Sequence, residues 1–553
     1  MNLRKHQREF ESVIDRITNG GAPTRTVYCH VTPGGGKSIL PIIAGKLITA
    51  GMADKLCWVA PRLSLIDQAE REFINPHFRE VLGHRLQIRA STNERNPCRG
   101  LDGFATTYNA VGLDDGLLVE EFRRRRYILI MDEFHHVALD SLWHQKIAPL
   151  FDLAAFRIMM TGTCERGDGG KIAFLPYRQN GCGLVPDLRA TPEMSVLGYT
   201  RADALAERAI IPLAFHLSDG QASWQTRTGN VRTVRSLDSM SDYDASKALY
   251  TALRTEYSEH LLDYGLAHWQ NQKRINRGAK CLVVCSDIKQ AERHTERLKA
   301  SGIATGRIDI ATSDDSTSAL RTIKEMKAGR LDVLVTVAMA YEGLSIPAVS
   351  HIICLTRIRS TPWIEQMTAR ANRIDPDAGP YDGQMGHIFA PADPLFKEIM
   401  ARIEAEQLPF LQIRQQKEKE AAERGSSERG LFTLEAAPGG IVPLSSAMTG
   451  KREVVLGAGG EKVPLMTASE VEASLLESIE EHVRRYAFQN RYSPKRLNGK
   501  LYEHFGTARS EMTIKELEEC LAYCRRVWPL TFIRGTGRPR VPTKAQPYPC
   551  AWR

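Results

Sequence analysis

The stretch TVYCHVTPGGGKSILPIIAGKLITAG, residues 26–51, decides the fold. It opens with an apolar, β-branched run, passes through Thr-Pro and three glycines to Lys37-Ser38, and continues as an apolar helical segment. A strand that enters a helix through such a loop aims backbone N–H groups and the positive helix end at one point, which suits phosphate. On that reading Thr32, Pro33, Gly34, Gly35 and Gly36 line a cradle, Lys37 reaches the β and γ phosphates, and Ser38 binds Mg²⁺. The usual pattern begins with glycine and this one begins with Val31, so the loop alone also admits a plain glycine-rich turn.

Similar strand-loop units follow. KLCWVAP (55–61), RYILIMDEFHH (126–136) and AFRIMMTGT (155–163) are short aliphatic runs that end in polar residues. That is the pattern of a buried parallel sheet whose strand C-termini carry the chemistry, and it predicts a doubly wound α/β domain over 1–200. Residues 201–275 hold a Ser/Thr-rich polar patch and a helix over 245–272, read as a connector. A second α/β pattern spans 276–411, with strands at 279–286, 331–337 and 350–356 and a helix at 287–302. A charged linker over 412–440 leads to a helical, basic region at 441–553, where Thr467 with Glu470 and Thr513 with Glu516 form capping-box patterns. No repeat of 20–50 residues is visible.

Composition excludes several classes. Of the 553 residues 42% are hydrophobic and 25% charged, which is incompatible with wholesale disorder. No apolar run approaches the ~18 residues of a membrane helix, and the start MNLRKHQREF lacks a secretion signal, so a cytoplasmic protein is expected. The 11 cysteines form no CxxC pair, which points to reduced thiols rather than disulfides or zinc ligands. The net charge of +9 favours a polyanionic partner, and residues 441–553 carry 18 Lys/Arg against 12 Asp/Glu. The last stretch interleaves arginines with Tyr523, Trp528 and Phe532, which suits phosphate contacts and base stacking as well as an ordinary basic tail with core aromatics.

Asp132 and Glu133 close an apolar strand. One carboxylate there can hold Mg²⁺ while its neighbour polarises a water, and Asp132 takes the first role and Glu133 the second. With this pair, the chain resembles the superfamily 2 DExD/H-box helicases over about 400 residues, through motifs in the family's order. DEFH is neither DEAD nor DEAH to the letter, and this looseness is similar to the helicase subunits of restriction systems and to phage helicases.

The resemblance implies two tandem RecA-like parallel-sheet domains flanking an ATP cleft, with a small, mainly helical C-terminal domain. LRKHQREF is similar to the adenine-reading segment, with Gln7 on the base edge. VAPRLSLIDQ and ATTYNAV resemble strand-binding motifs, which implies nucleic-acid contacts from Pro61, Arg62, Thr107 and Tyr108. TGT (161–163) is similar to the motif that couples the two sites, and VLVTVAMAYEGLSIP to motif V, with Thr336 on nucleic acid and Gly343 at the nucleotide. WIEQMTARANR resembles motif VI, so Gln366, Arg370 and Arg373 are expected on one helical face, directed at the γ-phosphate. Ala369 replaces a frequent glycine and Ser345 a frequent acidic residue. RRRR (123–126) lies at the strand end opposite the carboxylates and reads as a solvated edge; His135 is expected to couple the domains and His136 to be structural.

The family's activity is nucleic-acid-stimulated ATP hydrolysis with ATP and Mg²⁺. DNA is favoured over RNA as the track, no membrane is involved, and the C-terminal domain offers a place for a protein partner. The expected function is an ATP-dependent nucleic-acid helicase; a duplex translocase without strand separation and a nucleotide-switched binding module are the alternatives, and Asp132, Glu133 and both arginines weigh against the last.

Overall fold

A strand buried on both faces must be apolar along its whole length, and two of the innermost strands show this. The computed structural model describes residues 3–91, 96–166, 169–180, 183–226, 230–240, 242–312, 316–337, 346–428 and 467–530. The N-terminal strands are β1 (Thr26–Val31), β2 (Lys55–Ala60), β3 (Ile88–Ala90), β4 (Gly103–Thr107), β5 (Tyr127–Asp132), β6 (Phe156–Thr161), β7 (Tyr177–Asn180), β8 (Gly183–Pro186) and β9 (Met194–Tyr199). Seven of them make one sheet in the order β3-β4-β2-β5-β6-β1-β9, parallel throughout, while β7 and β8 form a separate antiparallel hairpin. β5 is buried at every position and β2 at all but its first, and helices Lys5–Thr18 and Leu63–Ile74 add Phe10, Ile14, Ile66 and Phe73 to the core.

The second lobe holds β10 (Leu213–Ser218), β11 (Ala222–Gln225), β12 (Val231–Val234), β13 (Lys280–Cys285), β14 (Ile308–Ala311), β15 (Val333–Val337), β16 (Val349–Leu355) and β17 (Gly386–Pro391). Its sheet runs β10-β17-β16-β13-β15-β14, again all parallel, and β11 with β12 forms a hairpin. The stretch expected to be a connector is therefore built into this lobe. β10 pairs along its whole length with β17, and the helical part is two helices, Asp242–Ala252 and Glu256–Ile275.

Helix Glu256–Ile275 packs closely on the second sheet because Gly265 has no side chain; a Cβ there would lie 2.8 Å from Ile353. Beneath it lies a layer of rings: His216, His268, His351, His387 and Phe389. Burial, helped by the neighbouring histidines, lowers His351 to about 2 and His387 to about 3, so these rings are neutral at physiological pH.

The sequence-distant stretches Asn93–Gly100 and Met466–Arg553 form a second compact unit. Its helices Ala468–Asn490, Pro494–Phe505 and Ile514–Val527 enclose Leu475, Ile479, Val483, Leu497, Leu501, Leu517 and Cys524. Both capping boxes form: Glu470 and Glu516 accept from the Thr467 and Thr513 backbone N–H groups at 2.9 and 2.7 Å. Arg99 donates to the Glu511 carbonyl and lies 3.9 Å from Glu516, so the short stretch is stitched to the helices. Trp528 belongs to this core and is closed to base stacking, while Phe532 and the arginines beyond it lie outside the described residues.

The described cysteines are free thiols, buried except for the half-buried Cys164. No helix among the described residues is long and apolar enough to cross a membrane. Arg123 to Arg126 are exposed and each meets an acidic partner, Glu120, Glu121 or Asp54, as a solvated edge should.

Candidate active site

Parallel pairing of β1, β6 and β5 brings their C-terminal ends to one edge of the first sheet. The loop after β1, the carboxylates after β5 and TGT after β6 thereby become neighbours, although they are far apart in sequence. The loop turns twice through the left-handed region, at Gly34 (φ +85°) and Gly36 (φ +86°). Gly35 lies so close to the strand that a Cβ would sit 2.7 Å from Val31 and 2.8 Å from the Thr32 carbonyl, so glycine is required there for steric reasons. Thr32 anchors the turn through its N–H to the Tyr199 carbonyl (2.9 Å) and its own carbonyl to the Gly35 N–H (2.8 Å). A short 3₁₀ turn, Lys37–Ile39, carries Lys37 and the half-buried Ser38 into helix Leu40–Ala44.

Lys37 points across the loop at the acidic pair. Its ammonium lies 3.2 Å from Asp132 Oδ1 and also hydrogen-bonds Glu133, and it is 20% exposed. Burial acts to raise the Glu133 carboxyl, but Lys37 and His135 outweigh it and hold the group at about 2; for Asp132 burial prevails and the shift is upward. Glu133 is itself held in the left-handed region (φ 49°) and accepts from the Gly162 N–H at 3.4 Å. His135 joins this network, with Nδ1 2.8 Å from Thr161 Oγ1 and 3.4 Å from Glu133, while His136 is half-buried at the end of the same turn. The carboxylate pair and TGT are thus linked by direct side-chain contact.

Gln7 is next to the loop, as the sequence implies. It is buried and ties the loop to its own helix, donating to the Gly36 carbonyl (3.0 Å) and accepting from the Arg4 N–H (2.9 Å). Arg4, which carries no motif signal of its own, donates to the Gly35 carbonyl at 2.6 Å. Glu207 secures this N-terminal corner by accepting from the Lys5 N–H, Arg8 and Tyr199.

The second lobe meets the loop through Asn372. Its side chain is fully buried and donates to the Pro33 carbonyl at 3.4 Å, and its backbone carbonyl accepts from Ile211 at 2.7 Å. These contacts correct the expectation of one helical face for Gln366, Arg370 and Arg373. Helix Thr361–Thr368 carries only Gln366. The chain then tightens, with Arg370 and Ala371 bonding three residues back, and Asn372 is drawn out of helical register to meet Ile211. Arg370 and Arg373 therefore flank the residue that touches the loop. Burial, and then the Arg370 charge, lowers Arg373 to about 10, and Lys327 is lowered by burial with Arg373 and Arg71 nearby, so this wall of the cleft is electropositive.

The expected strand contacts divide. Pro61 and Arg62 are half-buried just past β2, where Arg62 precedes helix Leu63–Ile74. Thr107 caps helix Tyr108–Leu113 by accepting from Ala110 N–H at 3.1 Å. Tyr108 does not face a strand: it is completely buried, stacks on Trp143 at 5.5 Å, and donates to the Asp132 carbonyl at 2.9 Å. Thr336 is likewise fully buried in β15, with its hydroxyl on the Val337 carbonyl (3.2 Å). Both were expected on nucleic acid because of the motifs they resemble, and both are claimed by the core instead. Gly343 and the rest of residues 338–345 lie outside the described residues.

A parallel sheet carrying a glycine phosphate loop and an acidic pair, faced by a second parallel sheet carrying an arginine segment, defines the two-lobed RecA-like class of nucleotide-dependent proteins. Family comparison agrees for each lobe. Residues 1–166 match the type III restriction enzyme res subunit and residues 259–375 the helicase conserved C-terminal domain. Each lobe thus matches a helicase-type family domain, and the chain resembles the superfamily 2 helicases, restriction-system members among them.

An uncharacterized protein of Mycobacterium tuberculosis is 24% identical over 432 residues, covering 75% of this chain and 68% of that one. The UvrABC system protein B of Caldicellulosiruptor bescii is 33% identical over 108 residues, 18% of this chain and 16% of that one. Among solved structures, the Mycobacterium smegmatis helicase Lhr bound to ssDNA and AMP-PNP aligns with a TM-score of 0.45 at 17% identity, over 73% of this chain and 50% of that chain. The helicase domains imply an ATP-dependent, nucleic-acid-directed enzyme in general terms.

Proposed function

We propose that this protein is a DNA-directed motor that hydrolyses ATP between its two lobes and moves along the nucleic acid. The observation that carries the reading is the double engagement of the loop: Lys37 is held by Asp132 and Glu133, while Asn372, between Arg370 and Arg373, touches Pro33 from the other lobe. Both halves of a hydrolytic site are within reach of one phosphate cradle.

The residues suit the nucleotide and its metal. Gly34 and Gly36 supply the two left-handed turns and Gly35 the close packing on Val31 that a loop wrapped around phosphates needs, with Thr32 and Pro33 shaping the turn, and Gln7 sits at the loop for the base. Ser38 and Asp132 would hold Mg²⁺, and the buried Asp132 Oδ1, now met by Lys37, is a place where a divalent cation fits. Such an ion supplies neutralisation of phosphate charge.

Lys37 links binding to chemistry. While it lies against Glu133 that carboxylate is a very weak base; when phosphates draw the lysine away, burial is opposed only by the neighbouring His135 and His136 and raises the basicity of Glu133 toward the attacking water. Arg370 and Arg373 then face the charge that builds on the transferring group, with Gln366 on the same side of the cleft. His135 and Thr161 carry the state of the acidic pair to TGT, and Pro61, Arg62 and Thr107 are the candidates along the track.

The test is steady-state hydrolysis of the pure chain alone and with single-stranded DNA, duplex DNA, forked DNA and RNA, with Glu133→Gln as the blank. Strong stimulation by DNA is expected, and Arg373→Ala should lower the stimulated rate by ~10³-fold or more. An unchanged rate in that variant, or no hydrolysis with any nucleic acid, overturns the reading. Strand-displacement and triplex-displacement assays then separate unwinding from duplex translocation.

A further inference from the structure

The ring layer of the second lobe has a use beyond packing. His216 comes from the edge strand β10, His387 from β17, His351 from β16 and His268 from helix Glu256–Ile275, and none takes part in the cleft chemistry. One ring nitrogen from each of His216, His268 and His387 lies within 4.8 Å of the other two, and these three residues are half-buried rather than sealed. Nε2 of His216 is 3.1 Å from Nδ1 of His387. Ligand nitrogens around a tetrahedral zinc ion stand about 3.3 Å apart, given Zn–N bonds of about 2.0–2.1 Å. That pair is already at ligand spacing, and a nitrogen of His268 lies within 4.8 Å of both residues.

The outer groups fit the same purpose. Nδ1 of His268 is 2.8 Å from Nε2 of His351, and Nδ1 of His351 is 2.9 Å from Ser350 Oγ. This relay occupies one nitrogen of His268 and leaves Nε2 for a metal, which is how outer partners usually orient ligating histidines. If packing were the only role, any flat ring would serve, as Phe389 does against His216. Nitrogen-to-nitrogen approaches between three different elements are not what ring stacking alone requires. Gly265, one turn before His268, lets the helix come close enough for the set to meet.

The geometry points to a divalent transition-metal site of the Zn²⁺ class on His216, His268 and His387, with His351 and Ser350 as positioning residues. All-imidazole ligation selects zinc, cobalt, nickel or copper over magnesium and calcium, and the half-open side leaves a fourth position for water. A bound ion would fasten β10, the strand by which the chain enters the second lobe, to the helix and to β17.

The test uses the full chain, stripped with chelator and titrated with Co²⁺ as the spectroscopic probe, followed by competition with Zn²⁺. One equivalent should bind with visible ligand-field bands of a low-symmetry nitrogen site, Zn²⁺ should displace it, and the melting temperature should rise. The double variant His268→Gln/His387→Gln should lose the bands while keeping the parent's circular dichroism in chelator. His351→Phe should retain one-to-one binding, weakened by ~10- to 100-fold. His268→Gln alone, on the half-buried helix face, serves as the deciding variant if the double one does not fold. Absence of stoichiometric uptake by the parent, unchanged binding in a folded variant, or sulfur-to-cobalt charge-transfer bands marking cysteine ligation overturns the proposal.

Discussion

Replacing Lys37 by alanine should invert the pH response of the first lobe's stability. The lysine is the cation shared by two largely buried carboxylates, with Asp132 and Glu133 side chains 6% and 15% exposed. Removing one partner of a buried pair typically costs ~3–5 kcal/mol because the remaining charge is left uncompensated. For a lobe of about 200 residues that amounts to roughly 6–20 °C in melting temperature, using ~2–4 °C per kcal/mol. In the parent, Glu133 is depressed to about 2, so its contribution is complete above the ordinary carboxylate pKa and is lost only as pH falls through about 2. In Lys37→Ala the largest charge opposing burial is gone, only His135 and His136 still act against it, and the folded pKa rises. The destabilisation is then greatest at neutral pH and shrinks as the carboxylates take up protons on acidification. Thermal unfolding without nucleotide, at pH 7.5 and pH 5, measures the gap between parent and variant. It should narrow at the lower pH, and adding Glu133→Gln should recover a large part of it at pH 7.5. A gap that is absent, or equal at the two pH values, refutes the view that Lys37 neutralises a buried acidic pair.

Two further outcomes separate the structural roles from those the motifs imply. Tyr108→Phe removes the hydroxyl bonded to the Asp132 carbonyl and should cost ~1 kcal/mol in denaturant unfolding, while affinity for single-stranded DNA by fluorescence anisotropy stays unchanged. Asn372→Ala cuts the interlobe contact to Pro33 and should lower DNA-stimulated kcat/KM for ATP by ~2- to 10-fold, with little change in DNA affinity when nucleotide is absent.

The first sheet was readable because its inner strands, KLCWVA and YILIMD, must be apolar on both faces, and because glycine at 34, 35 and 36 answers a steric demand that leaves a plain mark in sequence. The acidic pair was readable for the same reason, as two charges ending an apolar run. β10 was hidden because LAFHLS adjoins a polar patch and its partner β17 lies far along the chain, Leu213 pairing with Gly386. Asn372 gave no signal beside two arginines, since its importance comes from a loop 339 residues away. Tyr108 departed from the motif's implication because a motif marks a position and not the direction of its side chain, and here the ring turns inward against Trp143. Arg4 stands in the segment that drew attention to Gln7, and only the folded loop shows that its guanidinium reaches the Gly35 carbonyl.

The composite C-terminal unit sets an order of events during synthesis. Arg99 and its acceptor at Glu511 are separated by 412 residues. At ~5–20 residues per second, the short stretch leaves the ribosome on the order of 20–80 s before the residue that holds it. The first lobe must therefore complete its sheet around an insertion that has no seat of its own, and the three helices, once made, close on a segment that is already old. Fragments cut near residue 466 inherit the same problem from both sides: an N-terminal piece keeps an orphaned insertion, and a C-terminal piece lacks the arginine that crosses to Glu511 and Glu516.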